Sequence, residues 1–356
     1  SIAQDRVLAS KDGAQYLGVP MNMDKLLVPD NVTNVTLQEG NDVHQIVVEG
    51  DDRDSLPQIN FETLNQCNIV VPDNLLPSLI EENSAALTFG NGNTISLASN
   101  PSEQLSTSYG MVYSQDELKY VADIGIDTVK IDGPHTIKSG CFKGNDSVST
   151  LVLTDDASYT FEAGCFEGGN VSRIICLTTS QKTSIEQQLS AAGVSNVQVV
   201  VSGKGADGSS YFTEKRNGKP YTTLLAASPE ATVFMGVVKG TDGSDVPIDA
   251  ISSQAFDGSA NLRWAILGES VSFIGSDAFV GCENLQGVLI GNTSSVTVES
   301  GAFSSCESLR YIASRAMHAD FALNSLPTGG GCDLYRPTGS SGSDGYVNNF
   351  QYFTPE

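Results

Sequence analysis

Seven cysteines and three histidines are the side chains here with most chemistry to offer, and their spacing offers little. There is no CxxC pair and no metal-ligand spacing among the cysteines. His44, His135 and His318 lie far apart, none beside a cysteine or a patterned carboxylate pair, which argues against a zinc site and a histidine-based triad. Gly203, Gly205 and Gly208 spell GxGxxG after a strand-like run. A dinucleotide site would need a helix opening directly behind it, to present amide N–H groups to the phosphates. The following "SSYFTEKRNGKP" reads instead as a hairpin, so the glycines read as a flexible linker. With 42 acidic residues, accidental pairs such as Asp155 and Asp156 are certain and carry no weight. A glycosidase needs two carboxylates at a set separation in a cleft, which no local spacing here supplies. The acidic loop "GTDGSD" lacks the EF-hand spacing. The expectation is no enzyme, no cofactor and no metal.

What the cysteines do show is a register. "IGSDAFVGCENL" from Ile274 has near-copies in "ISSQAFDGSANL" from Ile251 and "VESGAFSSCESL" from Val298, at steps of 23 and 24 residues. Two further copies, "IKSGCFKGNDSV" from Ile137 and "FEAGCFEGGNVS" from Phe161, start 24 residues apart. A fixed period of this size marks a solenoid, whose units bury their apolar sides only by stacking. Phe142, Phe166, Phe256, Phe279 and Phe303 are expected to stack as a buried column. Each follows a small residue, Cys141, Cys165, Ala255, Ala278 or Ala302, which lets the chain turn tightly beside the ring. Behind each pair runs an LxxLxL-like segment, such as Leu285, Val288 and Ile290, whose last two apolar positions alternate as a short inward-facing strand. Cys141 with Cys165, and Cys282 with Cys306, then sit at one position on adjacent coils. Strands about 4.8 Å apart are within the Cα range of about 4.4–6.8 Å for a disulfide. Two readings stand open: bridges in an oxidising compartment, or buried thiols acting as small hydrophobes.

The same alternation points other residues outward. Trp264, Gly287 and Tyr311 should form one row, and Ile266, Leu289 and Ala313 the next, with Arg263, Gln286 and Arg310 just before. Trp264 is the only tryptophan. Aromatics and arginines are favoured at binding hot spots, so Trp264, Tyr311, Arg263, Arg310, Gly287, Ile266 and Leu289 are the candidate ligand-binding residues. The competing reading is that this face is core beneath a hairpin or cap.

An AFxxCxxL segment followed by LxxLxL at a period near 23 resembles the BspA-like leucine-rich repeat family, well in "AFVGCENLQGVLI" and "AFSSCESLRYI", partly in the two CF copies, which lack the later cysteine. "YGMVYSQDELKYVA" from Tyr109 and "YFTEKRNGKPYTTLLAA" from Tyr211 resemble the family's inserted β-hairpins. "CDLYRPTGSSGSDGYVNNFQYF" is similar to its terminal cap. The resemblance covers about Tyr109 to the end. It implies a mainly β leucine-rich-repeat solenoid with inserted hairpins and few short helices. It further implies a bacterial secreted or surface-displayed protein that binds host extracellular-matrix or cell-surface proteins, or glycans, through a concave face. Family position implies that the later cysteines are core. It also implies that the sequons at Asn31, Asn34, Asn145, Asn170 and Asn292 are corner turns rather than glycan sites.

Three regions are expected: a β-rich stretch over 1–105, a first hairpin and repeat block over 106–205, and a second hairpin, block and cap over 206–356. The first reads as a small separate β domain, with decayed repeats as the alternative. Within it "LTFGNGNTISL" reads as a hairpin, "DDRD" as a solvated loop and "NPSEQLSTS" as a linker. "KTSIEQQLSAAG" reads as a helix stopped by Gly193, with "VQVVV" closing the block. Of 356 residues 40% are hydrophobic, enough for a core, and the net charge is −23. Such a chain repels phosphate backbones and anionic membranes, so nucleic acid is excluded as a partner. No apolar run approaches the roughly 18 residues of a membrane helix. Beginning at Ser1, the chain reads as a processed product from which any export signal has been removed. A carbohydrate-binding scaffold, with Trp264 and Tyr311 as stacking residues, is the alternative to protein adhesion.

Overall fold

The computed structural model describes residues 7–21, 23–38, 40–50, 55–60, 63–80, 93–133, 135–327 and 331–343, and the backbone of 350–353. It is a mainly β solenoid, in which each coil contributes one strand to each of two stacks. In the second block the longer strands Val233–Phe234, Trp264–Leu267, Gly287–Ile290, Tyr311–Ser314, Asp333–Pro337 and Phe350–Phe353 pair in parallel as a six-stranded sheet. On the other side Ala250–Ile251, Phe273–Ile274, Ser295–Val298 and His318–Phe321 form a second parallel stack. Its first strand pairs in parallel with the second arm of the hairpin Ser210–Arg216/Lys219–Ala226.

Between the stacks lie the phenylalanines. Phe256, Phe279 and Phe303 are fully buried and stack with centroids 4.3 and 5.1 Å apart. Phe142 and Phe166 form a second, shorter column at 5.6 Å. The chain corner beside each ring has a feature that the spacing alone did not reveal. The residue before the small one is left-handed in every copy: Gly140, Gly164, Gln254, Asp277 and Gly301 all have φ between 54 and 78°. So is the second residue after the phenylalanine, at Gly144, Gly168, Gly258, Gly281 and Ser305. Glycine recurs there because it adopts this conformation without a Cβ penalty.

The first block repeats the plan with Thr128–Ile131, Thr150–Leu153, Arg173–Cys176 and Gln198–Val201 in parallel. Its hairpin is Met111–Ser114/Glu117–Val121. The helix spans Thr179–Ala191, three residues earlier than its sequence start suggested, because Thr178 caps it by accepting from the Gln181 amide at 3.1 Å. Gly193 ends it at φ 73°.

The N-terminal region differs from the expected separate domain. Lys25–Val28, Gln45–Val48, Asn68–Val71 and Thr94–Leu97 stack in parallel as coils do. Thr94–Leu97 then pairs with Asn100–Ser108, which pairs with the first hairpin, so one sheet runs on into the first block. "NPSEQLSTS" is therefore a nine-residue strand, not a linker, and it crosses the expected boundary at 105. The coils there are held by half-buried amides in place of an Ala–Phe pair: Asn60 both accepts from and donates to the Leu37 backbone, and Asn93 bridges Leu64 and Cys67. The "DDRD" loop and the first arm of "LTFGNGNTISL" lie outside the described residues.

The GxGxxG stretch is a tight hairpin rather than a flexible linker. Gly203–Lys204 pairs with the start of Ser210–Arg216, Asp207 caps the turn, and Gly205 bridges to Gly240. No helix follows, so no amide cradle is formed there.

Candidate functional site

Alternation along the longer strands fixes which side chains leave the core. Trp264, Gly287 and Tyr311 are register partners, and so are Ile266, Leu289 and Ala313. Ala265, Val288 and Ile312 between them are buried. The first row is open: Trp264 is 42% and Tyr311 49% exposed. Leu289 in the second row is 37% exposed, with Ile266 and Ala313 half-buried. Val233 and Met235, before the first full strand, extend the apolar surface.

Gly287 is not a gap in that row. The six-membered ring of the Trp264 indole lies over it, and a Cβ there would stand 2.2 Å from Trp264 Cζ3. The glycine is buried by the indole, which its lack of a side chain seats on the sheet. Tyr335, at the second outward position of the cap strand and paired with Ala313, brings its ring to 6.5 Å from Tyr311. It was missed in the sequence because the alternation was not carried into "CDLYRP", where it continues unbroken. The arginines part company. Arg263 is exposed, whereas Arg310 folds back onto its own turn, donating from Nη1 to the Glu307 and Leu309 carbonyls.

The first block has the same two outward rows, with a different fate. Thr128, Thr150 and Arg173 form one, and Lys130, Val152 and Ile175 the other. The second hairpin lies across them: Phe212 and Leu225 pack on Val152 and Ile175, and the Arg173 guanidinium sits over the Phe212 ring. Covering by a hairpin thus occurs in the first block, while Trp264 and Tyr311 in the second remain at the surface.

The reactive side chains are accounted for elsewhere. All seven cysteines are free, and six are buried. Burial pushes the Cys282 thiol up to about 12 and Cys141 and Cys306 higher still, so these are poor nucleophiles. Cys282 and Cys306 Sγ instead donate to the Phe256 and Phe279 carbonyls. Free thiols packed as small hydrophobes are therefore what the coils contain.

The histidines differ from the sequence expectation. His135 is clamped between two carboxylates, Nδ1 to Asp116 in the turn of the first hairpin at 2.6 Å and Nε2 to Asp155 on the following coil at 2.9 Å. The bond to Asp155, then that to Asp116, raises its pKa. With both nitrogens committed as donors, it is a staple between coils and has no free nitrogen to act as a base. Asn145, one of the sequon residues, is 1% exposed and donates to the Val121 and Ala122 carbonyls, so it cannot carry a glycan in the folded chain. "GTDGSD" is the turn of the hairpin Val237–Lys239/Asp245–Pro247, with Asp242 bonded to Ser244. Among the described residues no group of three or more His, Cys, Asp or Glu could hold a metal ion.

Residues 245–321 match the model of the BspA type leucine rich repeat region, in six copies. No curated protein matches the sequence. Among solved structures, the chain is similar to a leucine rich cell surface protein from Faecalibacterium prausnitzii A2-165, at 17% identity and TM-score 0.35, covering 97% of this chain and 92% of that one. It is also similar to the pneumococcal vaccine antigen PcpA, at 11% identity and TM-score 0.24, covering 93% of this chain and 68% of that one. A third is a leucine-rich repeat protein from Eubacterium ventriosum ATCC 27560, at 13% identity and TM-score 0.22, covering 82% and 72%. No helix among the described residues is long and apolar enough to cross a membrane.

Proposed function

We propose that this chain, whose residues 245–321 are BspA-type leucine-rich repeats, is a non-enzymatic interaction protein of the bacterial cell surface. It binds host extracellular proteins through the outward face of the second block. The observation that carries this reading is the exposure of Trp264 and Tyr311, 42% and 49%, on one sheet face that no hairpin covers among the described residues. Large aromatics on a rigid scaffold provide buried contact area with little ordering cost on the protein side. Exposed apolar patches rimmed by polar residues mark interaction sites. Trp264, Tyr311, Leu289 and Ile266 are the contact residues, Gly287 seats the indole, and Arg263 supplies the free cation at the rim. Arg310, bonded to its own turn, plays a smaller part.

Carbohydrate binding is the second reading, and one observation favours it. The indole is laid over Gly287 with Tyr311 one strand further on and Tyr335 beyond, which suits stacking against sugar rings. The two are separated by probing an array of host matrix proteins and glycans with the chain and its Trp264→Ala variant. Binding to a matrix protein that is lost in the variant supports the first. A glycan signal accompanied by quenching of the single tryptophan supports the second. Binding that is unchanged in the variant refutes the placement of the site.

A further inference from the structure

Where the second hairpin crosses the first block, two outward faces meet. One is the row Thr128–Thr150–Arg173, register partners on adjacent strands. The other is the row Thr223–Ala250–Phe273, which runs from the hairpin arm onto the shorter-stranded stack of the second block. A cavity of about 320 Å³ is left between them. That volume lies at the lower end of the usual range for small-molecule pockets, about 300–1,000 Å³.

The charges around it are balanced, two guanidinium groups against two carboxylates. Glu214 pairs with Arg173 at 2.8 Å and with Arg216 at 2.7 Å. Both guanidinium groups are also laid over rings, Arg216 on Tyr221 at 3.7 Å and Arg173 on Phe212 at 5.0 Å. Asp127 is exposed at the rim and has no cation on it among the described residues. An anionic ligand would meet Asp127 and a cationic one the arginines, so the cavity suits a neutral molecule. What it has to spare is hydroxyl chemistry. Thr128 and Thr150, 8% and 7% exposed, are neighbours across the ladder, about 4.8 Å apart. Thr128 Oγ1 and Thr223 Oγ1 have no hydrogen-bond partner among the described residues, and Thr150 Oγ1 has only a 3.4 Å contact with Ser149. Each hydroxyl can donate once and accept twice. Phe273, half-buried, closes the opposite side with an aromatic surface, and Ala250 beside it is too short to fill the space.

We propose that this junction binds one pyranose unit of a neutral saccharide, its hydroxyls on Thr128, Thr150, Thr223 and Asp127 and a C–H face against Phe273. Hydroxyls spaced around a ring meet hydroxyls spaced along a ladder, each able to give and to take a proton. The Asp127 carboxylate accepts from the ligand in a charge-assisted bond. A hydrocarbon of the same size would leave the threonine row unmet. The site is separate from the second-block face and does not depend on the function proposed for it.

Saturation-transfer NMR titration of the full chain with the methyl pyranosides of glucose, galactose and mannose tests this, with cyclohexanol as the control ring. Saturable binding of at least one pyranoside is expected, with cyclohexanol at least about tenfold weaker. Thr150→Val, which keeps the branched shape and removes the hydroxyl, should weaken that pyranoside by about three- to tenfold. Asp127→Asn should weaken it by about tenfold, since the lost bond is charge-assisted. Asp127 is exposed and Thr150 stays β-branched on its strand, so both variants should fold. Trp264→Ala should leave the titration unchanged. No saturable signal from any of the three, equal affinity for cyclohexanol, or affinity unchanged in both Thr150→Val and Asp127→Asn would each overturn the proposal. A signal lost in Trp264→Ala would overturn it too, and would place the saccharide on the second-block face instead.

Discussion

A methyl group added at Gly287 would stand 2.2 Å from the Trp264 ring, so Gly287→Ala must lift the indole off the sheet. Trp264 is the only tryptophan, so its emission reports this alone. Gly287→Ala should shift the emission to longer wavelength, and an unchanged spectrum would show that the indole does not rest on the glycine. His135 carries a pH prediction at the same scale. Its pKa is raised above the ordinary value of about 6.5 by Asp155 and Asp116. The stabilisation is complete below the unfolded pKa and is lost as pH rises through the folded one. His135→Gln should therefore remove a decline in urea midpoint that the parent chain shows on going from acid to alkaline pH across that range. Asp277 titrates in the same sense, pushed up to about 6 by burial and then by Asp257. Asp277→Asn should stabilise the fold at pH 7, with the gain shrinking as pH falls below 6; a constant gain would point to another cause. The His135 clamp was not legible in the sequence, because Asp116 and Asp155 reach it only once the first hairpin and the following coil have packed on either side of it.

At the scale of the repeat element, the Ala–Phe pair and LxxLxL spacing were legible because a period repeats the same physical demand in every coil. The left-handed positions on either side were written in the glycines, yet disguised where Gln254, Asp277 and Ser305 occupy them. A non-glycine residue at such a position costs roughly 1 kcal/mol. Ser305 is exposed, at φ 57°, so Ser305→Gly should raise unfolding free energy by about 0.5–1 kcal/mol in urea titrations. A loss of stability would mean that the hydroxyl does more than the backbone strain. The N-terminal coils were harder to recognise. They have no Ala–Phe pair, and their corners are held by Asn41, Asn60 and Asn93, whose spacing is irregular.

For the molecule as a whole, the apolar interior is divided among three large clusters, one for each region. Phe279, fully buried between Phe256 and Phe303, ties the second block together. Phe279→Ala should cost about 3–5 kcal/mol. In a solenoid governed by neighbour interfaces the loss should fall first on the second block, leaving exchange protection of the first-block strands near that of the parent. Uniform loss across both blocks would argue for a single cooperative unit. Sequence alternation identified the outward rows in both blocks, but not which row a hairpin would cover. That depends on where Phe212 and Leu225 land, 37 and 50 residues beyond Ile175 in the chain. The central claim is that the second-block face is open. Acrylamide quenching of Trp264 in the free chain tests it most directly. The account predicts efficient quenching in the folded chain, with unfolding in denaturant adding only a modest increase. A tryptophan shielded until the chain unfolds would mean that this face is covered like the first, and would contradict it.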